Sequence, residues 1–249
     1  ILDVYPDKKH RLIKDTAGGY GTGNDFGNSF FSKLLNFYVD KNIGMPAIEI
    51  MIISSILKEN NEVHYTRNLK DKDINNFDYI LLPSSIIAHE TEIEMLKKLQ
   101  QKKIFVTGIF ASTMKEKYLS KNSIVIRNEA DTFFYNLNKS GKITKEFLDQ
   151  LFENNDLIND FYSPVSVDDF PFPDWELFDI KTYLADTKKP PPKTFGGVAH
   201  TWFYKPEEAV TMPINLARGC VFKCTFCHYV FWHDPYRHRS AENVIAEIK

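Results

Sequence analysis

The chain has 249 residues, of which 43% are hydrophobic and 26% are charged, and its 31 basic and 33 acidic side chains give a net charge of −2. This length can bury a sizeable core and predicts one large or two modest domains. The nearly balanced charge excludes a global positive field that would attract nucleic acid or an anionic membrane. No apolar run is long enough to span a bilayer, and the N-terminus lacks the apolar segment of a signal peptide. We therefore expect no nucleic-acid partner and no membrane span.

The first 45 residues contain one short predicted strand and a glycine-rich loop. Residues 1–5 (ILDVY) are apolar enough for a strand, and five glycines within AGGYGTGNDFGN make a loop over 14–28. The GGYGTG stretch resembles a dinucleotide-binding loop, but no convincing strand runs directly into it. A plain connector is an equally good interpretation.

From residue 46 the sequence alternates between helical and extended patterns. Apolar spacing and turn residues predict helices over about 46–59, 90–101, 112–120, 129–140 and 144–154. Strands are predicted at 62–66, 77–85, 102–108 and 123–128. Alternation at this rhythm favours an α/β fold with a parallel sheet covered on both faces. The commonest such arrangement is the doubly wound, Rossmann-like open sheet.

Polar residues follow three of the predicted strands at their carboxyl ends, where open parallel sheets bind ligands. They predict a ligand-binding edge; the alternative is that they serve only as turns. The residues are Ser84, Ser85, Thr107, Gly108 and Glu129.

A change in composition follows residue 154. Prolines and acidic residues predict a linker over 155–210. Residues 211–217 then form a predicted strand, and SAENVIAEIK forms a predicted helix with Ser240 as its N-cap.

All three cysteines of the chain, Cys220, Cys224 and Cys227, lie within eight residues of this C-terminal region. Their clustering points to a reducing compartment, with the thiols kept for chemistry. Thiolates suit zinc, copper(I) or iron–sulfur clusters. In a 4Fe–4S cluster three cysteines leave one iron open, as catalysis requires. The alternative is zinc bound by the cysteines and one histidine from His228, His233 or His238.

The segment RGCVFKCTFC resembles the cluster-binding loop of radical S-adenosylmethionine (radical SAM) enzymes, and RSAENVIAEI resembles the first helix of their barrel. Residues 46–182 are similar to the cobalamin-binding domain and linker that precede this barrel in one large subgroup. The resemblance implies that the three cysteines bind a 4Fe–4S cluster and that S-adenosylmethionine chelates the fourth iron. It also implies that Phe226 packs near the adenine, with core packing of the loop as the alternative, and that the sheet edge binds cobalamin. Arg218 either orients the loop or is solvated.

Some features depart from the cobalamin subgroup. No Asp-x-His-x-x-Gly motif surrounds any N-terminal histidine, Ile109 stands where a second glycine is common, and Asn128 replaces the glycine of a Gly-Glu pair. A side chain in place of glycine can block the close approach of a corrin.

The predicted organisation is a cobalamin-binding-like domain over 1–154, a linker over 155–210 and the start of a radical SAM barrel over 211–249. A complete barrel needs about 200 residues, so we expect a fragment that is inactive alone. The predicted function is that of a cytoplasmic radical SAM enzyme, with methyl transfer to an unactivated carbon preferred over rearrangement or ring closure. Its partners would be a small-molecule substrate and a reductant such as flavodoxin or ferredoxin. The alternative is a non-catalytic Rossmann-like ligand-binding module with a zinc-stabilised cysteine loop.

Overall fold

The structure is a computed structural model that describes residues 1–6, 12–14, 22–23, 27, 29–33, 46–67, 72–181, 212–222, 224–226 and 236–249. Most of the glycine-rich loop and the second half of the predicted linker lie outside these residues. Short 3-10 helices at Lys72–Asn76, Lys115–Lys117, Asn155–Phe161 and Val167–Asp169 accompany the main elements. Those elements, in chain order, are β1 (Leu12–Ile13), β2 (Thr22–Gly23), α1 (Ile48–Lys58), β3 (Tyr79–Pro83), α2 (His89–Lys98), β4 (Lys103–Thr107), α3 (Ile109–Thr113), β5 (Ser123–Val125), α4 (Ala130–Lys139), α5 (Lys145–Glu153), β6 (Ala217–Arg218), β7 (Arg237–His238) and α6 (Ala241–Ile248).

The centre of the structure is a parallel three-stranded sheet in the order β3-β4-β5. Leu81 pairs with Phe105, and Val106 pairs with Val125. Next to β3, the Leu2 N–H donates to the Leu81 carbonyl (2.9 Å), and Leu2 forms a parallel bridge with Thr66. The predicted strands at 1–5 and 62–66 are therefore reduced to this single bridge. The α/β class is confirmed, and the Rossmann-like order stays a prediction.

Helices cover both faces of the sheet, because successive strand residues point to opposite sides. On one face, Leu81, Phe105 and Ile124 pack in a single apolar cluster with residues of α1, α4 and α5. On the other face, Leu82, Ile104 and Val106 pack with residues of α2 and α3. Near-continuous apolar strands are typical of parallel sheets that are buried on both sides.

The helix predicted over 112–120 is wrong in its position. The chain instead forms α3 from Ile109 to Thr113, followed by a 3-10 turn at Lys115–Lys117. Gly108 begins the helix early, and its carbonyl accepts hydrogen bonds from both the amide and the hydroxyl of Ser112 (3.0 and 2.9 Å). The other predicted helices agree with α1, α2, α4, α5 and α6 to within a few residues.

The described part of the predicted linker is packed against the α/β unit. Five of its apolar side chains are buried in the cluster formed by α1, α4 and α5: Ile158, Phe161, Val165, Val167 and Phe170. Ser54 of α1 donates to Asp174 (2.7 Å), which adds a polar connection. Residues 155–174 thus share the core of the preceding elements.

The C-terminal part is a short hairpin followed by α6. The strand predicted over 211–217 is limited to β6, which pairs antiparallel with β7. Ser240 caps α6 by accepting a hydrogen bond from the Asn243 amide (3.2 Å), which confirms the predicted N-cap. The Ser240 amide donates to Asp168 (2.9 Å), so α6 is tied to the 155–174 segment. Within the described ranges, no helix has the length and apolar character needed to cross a bilayer.

Candidate functional site

The described part of the cysteine loop consists of residues 219–222 and 224–226 and begins directly after β6. The hairpin of β6 and β7 forms the base of this loop. Cys220 is exposed and Cys224 is half-buried, and both are free thiols. The Phe222 amide donates to the Cys220 sulfur (3.4 Å), so the backbone already turns around this thiol. Cys227, the third predicted ligand, lies outside the described residues. Two free, accessible thiols four positions apart have the donor chemistry that an iron–sulfur cluster or zinc requires.

Gly219 directs the chain from β6 into this loop. Its φ of +74° lies in the left-handed region, which glycine adopts without a steric penalty. The glycine of the Arg-Gly pair therefore allows the left-handed backbone conformation that leads from β6 to the first cysteine.

Phe226 projects away from the described protein, with 90% of its surface exposed. The neighbouring Val221 and Phe222 are also largely exposed. This exposure contradicts core packing of Phe226 against any described residue. Its predicted contact with the adenine of S-adenosylmethionine stays a prediction.

The histidines of the zinc alternative fall in different places. His238 lies in β7, is exposed, and stacks with Tyr236 at a centroid distance of 6.2 Å. His228 and His233 lie outside the described residues. Across the part of the chain that the structure describes, no three His, Cys, Asp or Glu side chains converge on a metal position.

Two arginines join the base of the cysteine loop to the N-terminal end of α4. Arg218, whose side chain is only 11% exposed, pairs with the fully buried Asp131 at 2.5 Å. Arg237 pairs with Glu129, the residue immediately before α4. Burial and pairing exclude the solvated state considered for Arg218. An orienting function for this side chain is what the contacts support.

A third carboxylate completes this charged cluster. The pKa of Glu49 is raised to about 7, mainly by burial and also by the nearby Asp131, while Arg218 acts to lower it. The Ala130 amide at the start of α4 hydrogen-bonds Glu49. Because a helix N-terminus carries a positive partial charge, it favours carboxylates at this position.

The structure brings some but not all of the residues predicted for the cobalamin edge into contact with one another. The Ser84 amide donates to the Thr107 carbonyl (2.7 Å), and the Ala111 amide donates to the Ser84 hydroxyl (3.0 Å). Gly108 lies against the same serine. The structure therefore brings Ser84, Thr107 and Gly108 together, whereas Glu129 is paired with Arg237 of the cysteine-loop base.

A buried polar network at the end of β3 was missed by the sequence analysis. The Lys14 ammonium contacts Asp3 (3.0 Å), the Pro83 carbonyl (3.1 Å) and Glu92 (3.5 Å). Glu92 also accepts hydrogen bonds from the Ser85 amide (2.9 Å) and the Tyr118 hydroxyl (2.7 Å). Burial raises the pKa of Glu92 to about 7, although Lys14 and these hydrogen bonds lower it. One signal was available: Glu92 lies one helical turn before Leu96, on the apolar face of α2.

These contacts bear on the cobalamin prediction. Ser84, Ser85, Thr107 and Glu129 are all buried, and described groups of the chain hydrogen-bond the Ser84 and Ser85 hydroxyls, the Thr107 carbonyl and the Glu129 carboxylate. In this arrangement they do not fit a corrin or its side chains. Their assignment to a cobalamin site stays a prediction, and no chemical step is derived from it.

Comparison with known proteins finds a distant relative of the chain. No protein-family model matches the chain, and no solved structure matches it. The chain is 25% identical over 181 residues to a curated protein of Cereibacter sphaeroides named anaerobic magnesium-protoporphyrin IX monomethyl ester cyclase. The match covers 68% of the chain but only 26% of the relative's length. This similarity supports an enzyme of the radical SAM family and does not bear on the cobalamin domain.

Proposed function

We propose that the chain contains the cluster-binding loop of a radical SAM enzyme, in which Cys220, Cys224 and Cys227 bind a 4Fe–4S cluster. The observation that carries this proposal is the pair of free, accessible thiols, Cys220 and Cys224, which follow a hairpin strand anchored by buried ion pairs. The distant cyclase relative is consistent with it. The bound cluster would supply one electron to the sulfonium of S-adenosylmethionine, and this breaks a carbon–sulfur bond.

The residues of this chain would act by binding and orienting the cofactors. The three thiolates bind three irons and leave the fourth free for the amino and carboxylate groups of S-adenosylmethionine. Phe226 is already exposed and therefore needs no rearrangement of a packed core to contact an adenine.

Two reaction classes are compatible with this cluster chemistry. Methyl transfer to an unactivated carbon remains the prediction from the sequence, and ring closure is the competing class because the relative is named a cyclase. A small-molecule substrate, a flavodoxin or ferredoxin as reductant, and a location in the cytoplasm belong to the same proposal. The domain limits at 154 and 210 also stay predictions.

Anaerobic reconstitution with iron and sulfide tests the cluster. We expect about four irons per chain, a reduced 4Fe–4S signal in electron paramagnetic resonance, and a change in that signal on addition of S-adenosylmethionine. Cys220→Ser and Cys224→Ser should abolish the signal, whereas Val221→Ala, at an exposed position between them, should retain it. A colourless protein with one bound zinc would refute the proposal and favour the ligand-binding module.

Cobalamin is tested separately with hydroxocobalamin. Because the chain itself bonds the Ser84 hydroxyl and the Ser85 amide at the predicted edge, we expect no change in the cobalamin spectrum on mixing. A saturable change that Ser84→Leu removes would instead place cobalamin at this edge.

A further inference from the structure

We propose that Asp131 and Glu129 are positioning residues that fix the cysteine loop against the α/β unit through Arg218 and Arg237. The structural claim concerns the loop itself, and its consequence for the cluster rests on the proposed function. Neither carboxylate contacts Cys220 or Cys224, the two described cysteines, so both would act through the arginines.

The hairpin at the base of the loop needs these carboxylates. Arg218 and Arg237 are direct cross-strand partners, which places two like charges opposite each other. Like charges in this position destabilise an antiparallel pair. Each strand is only two residues long, and an isolated two-stranded hairpin is marginal even without such repulsion.

The N-terminal end of α4 supplies the compensating charge. Asp131 is fully buried; one of its oxygens accepts from the Thr132 amide (2.9 Å), and the other pairs with Arg218. Glu129 accepts from the Thr132 hydroxyl (3.2 Å) as well as pairing with Arg237. Both acceptors are therefore held in place before they meet the arginines, as a positioning contact requires.

Further contacts fix the arginines in the same orientation. The Arg237 guanidinium also donates to the Val165 carbonyl (3.0 Å), and the Arg218 guanidinium lies over the Phe170 ring at 5.7 Å. Val165 and Phe170 belong to the buried core cluster. Arg218 lies two residues before Cys220. A displacement of the Arg218 side chain would therefore also displace the backbone that carries the first thiol.

The charges at this contact balance near neutral pH. Two guanidinium groups face Asp131, Glu129 and Glu49, and the pKa of about 7 for Glu49, raised mainly by its burial, keeps part of that third carboxyl protonated. Removal of Asp131 or Glu129 would leave a buried arginine without its partner, and an unpaired buried charge is strongly unfavourable.

A distance measurement on metal-free protein tests the positioning role independently of iron. Spin labels are placed at Cys220 and at the exposed C-terminal end of α4 with Lys139→Cys, in a background in which Cys224 and Cys227 are replaced by serine. Asp131→Asn and Glu129→Gln should broaden the label–label distance distribution. The distance distribution of the Glu129→Gln/Arg237→Gln double variant should be no broader than the broader of the distributions of the two single variants. Asp174→Asn is the matched control, because it removes an ion pair with Lys58 at a carboxylate that is also mostly buried.

Iron retention in the chain with all three cysteines tests the consequence for the cluster. In competition with a chelator, Asp131→Asn should bind iron roughly 10- to 100-fold more weakly, the loss of metal affinity typical when a residue that orients metal ligands is replaced. Circular dichroism melting identifies any variant that fails to fold, and Glu129→Gln then replaces Asp131→Asn because its site is less buried. An unchanged distance distribution in both folded variants overturns the proposal. If wild-type protein takes up no iron but the distribution still broadens, the positioning role stands and the proposed function fails.

Discussion

Gly108 lies directly against the backbone of Ser84. A Cβ atom at Gly108 would lie 2.6 Å from the Ser84 carbonyl oxygen and 3.0 Å from its hydroxyl oxygen. The φ of Gly108 is +100° and its ψ is 163°, a combination that is essentially restricted to glycine. This contact closes the carboxyl ends of β3 and β4 against each other.

Gly108→Ala is therefore expected to destabilise the protein by about 3 kcal/mol, because it adds both backbone strain and a clash with a backbone atom. Urea unfolding followed by circular dichroism measures the loss. Gly141→Ala is the matched control: Gly141 also has a positive φ, of +68°, but no atom of the described residues lies within 4 Å of its Cβ position. The control should lose only about 1 kcal/mol. Equal losses for the two variants would show that the contact with Ser84 is not tight.

Glu49 makes the stability of the protein depend on pH. Its pKa is raised by burial from 4.5 to about 7, so between these values the folded state holds a proton that the unfolded state releases. The free energy of unfolding must then fall as the pH rises through this window, by at most about 1.4 kcal/mol per pH unit for one proton. Glu49→Gln should reduce this slope between pH 5 and pH 8 in urea unfolding without abolishing it, because Glu92, whose pKa burial also raises to about 7, contributes in the same window. A wild-type slope in this variant would contradict the assignment.

Tyr118 stabilises the ionised carboxylate of Glu92 on the face of the sheet that α2 and α3 cover. Its buried hydroxyl donates to the carboxylate at 2.7 Å, and this hydrogen bond lowers the pKa of Glu92, which burial has raised to about 7. Tyr118→Phe should cost about 2 kcal/mol, as expected for a hydrogen bond to a charged group. The loss should grow as the pH rises from 6 to 8, because the ionised carboxylate needs the donor most. In a Glu92→Gln background the Tyr118→Phe loss should become independent of pH over this range.

Local patterns explain which elements were predicted correctly. The run Ile104–Val106 is apolar and bounded by turn residues, and it forms the buried centre of β4. Ser240 precedes an amphipathic stretch and caps α6. These features depend on neighbours within a few residues, so periodicity and capping chemistry are sufficient to find them.

Contacts between distant residues were not predictable in this way. Arg218 and Asp131 lie 87 positions apart, and no local pattern identifies either as the partner of the other. Residues 62–66 alternate like a strand, yet only Thr66 forms a bridge, because a strand also needs a neighbour in register. Asn128 adopts a φ of +61°, so the chain keeps a left-handed turn at the position where the resemblance favours glycine. Asparagine tolerates this conformation better than most residues.

The packing of residues 155–174 gives a last prediction about the extent of the N-terminal core. Phe161 is 4% exposed, and its ring meets the ring of Phe133 on α4 edge to face at a centroid distance of 5.8 Å. Phe161→Ala should therefore cost about 3 to 5 kcal/mol, the range for a buried phenylalanine. Phe133→Ala, in the same cluster, is the reference and should cost a similar amount. If residues 155–161 were only a connector, Phe161→Ala would leave the urea midpoint close to that of the wild type while Phe133→Ala lowered it. Because both rings pack against each other, the loss in the double variant should be smaller than the sum of the two single losses.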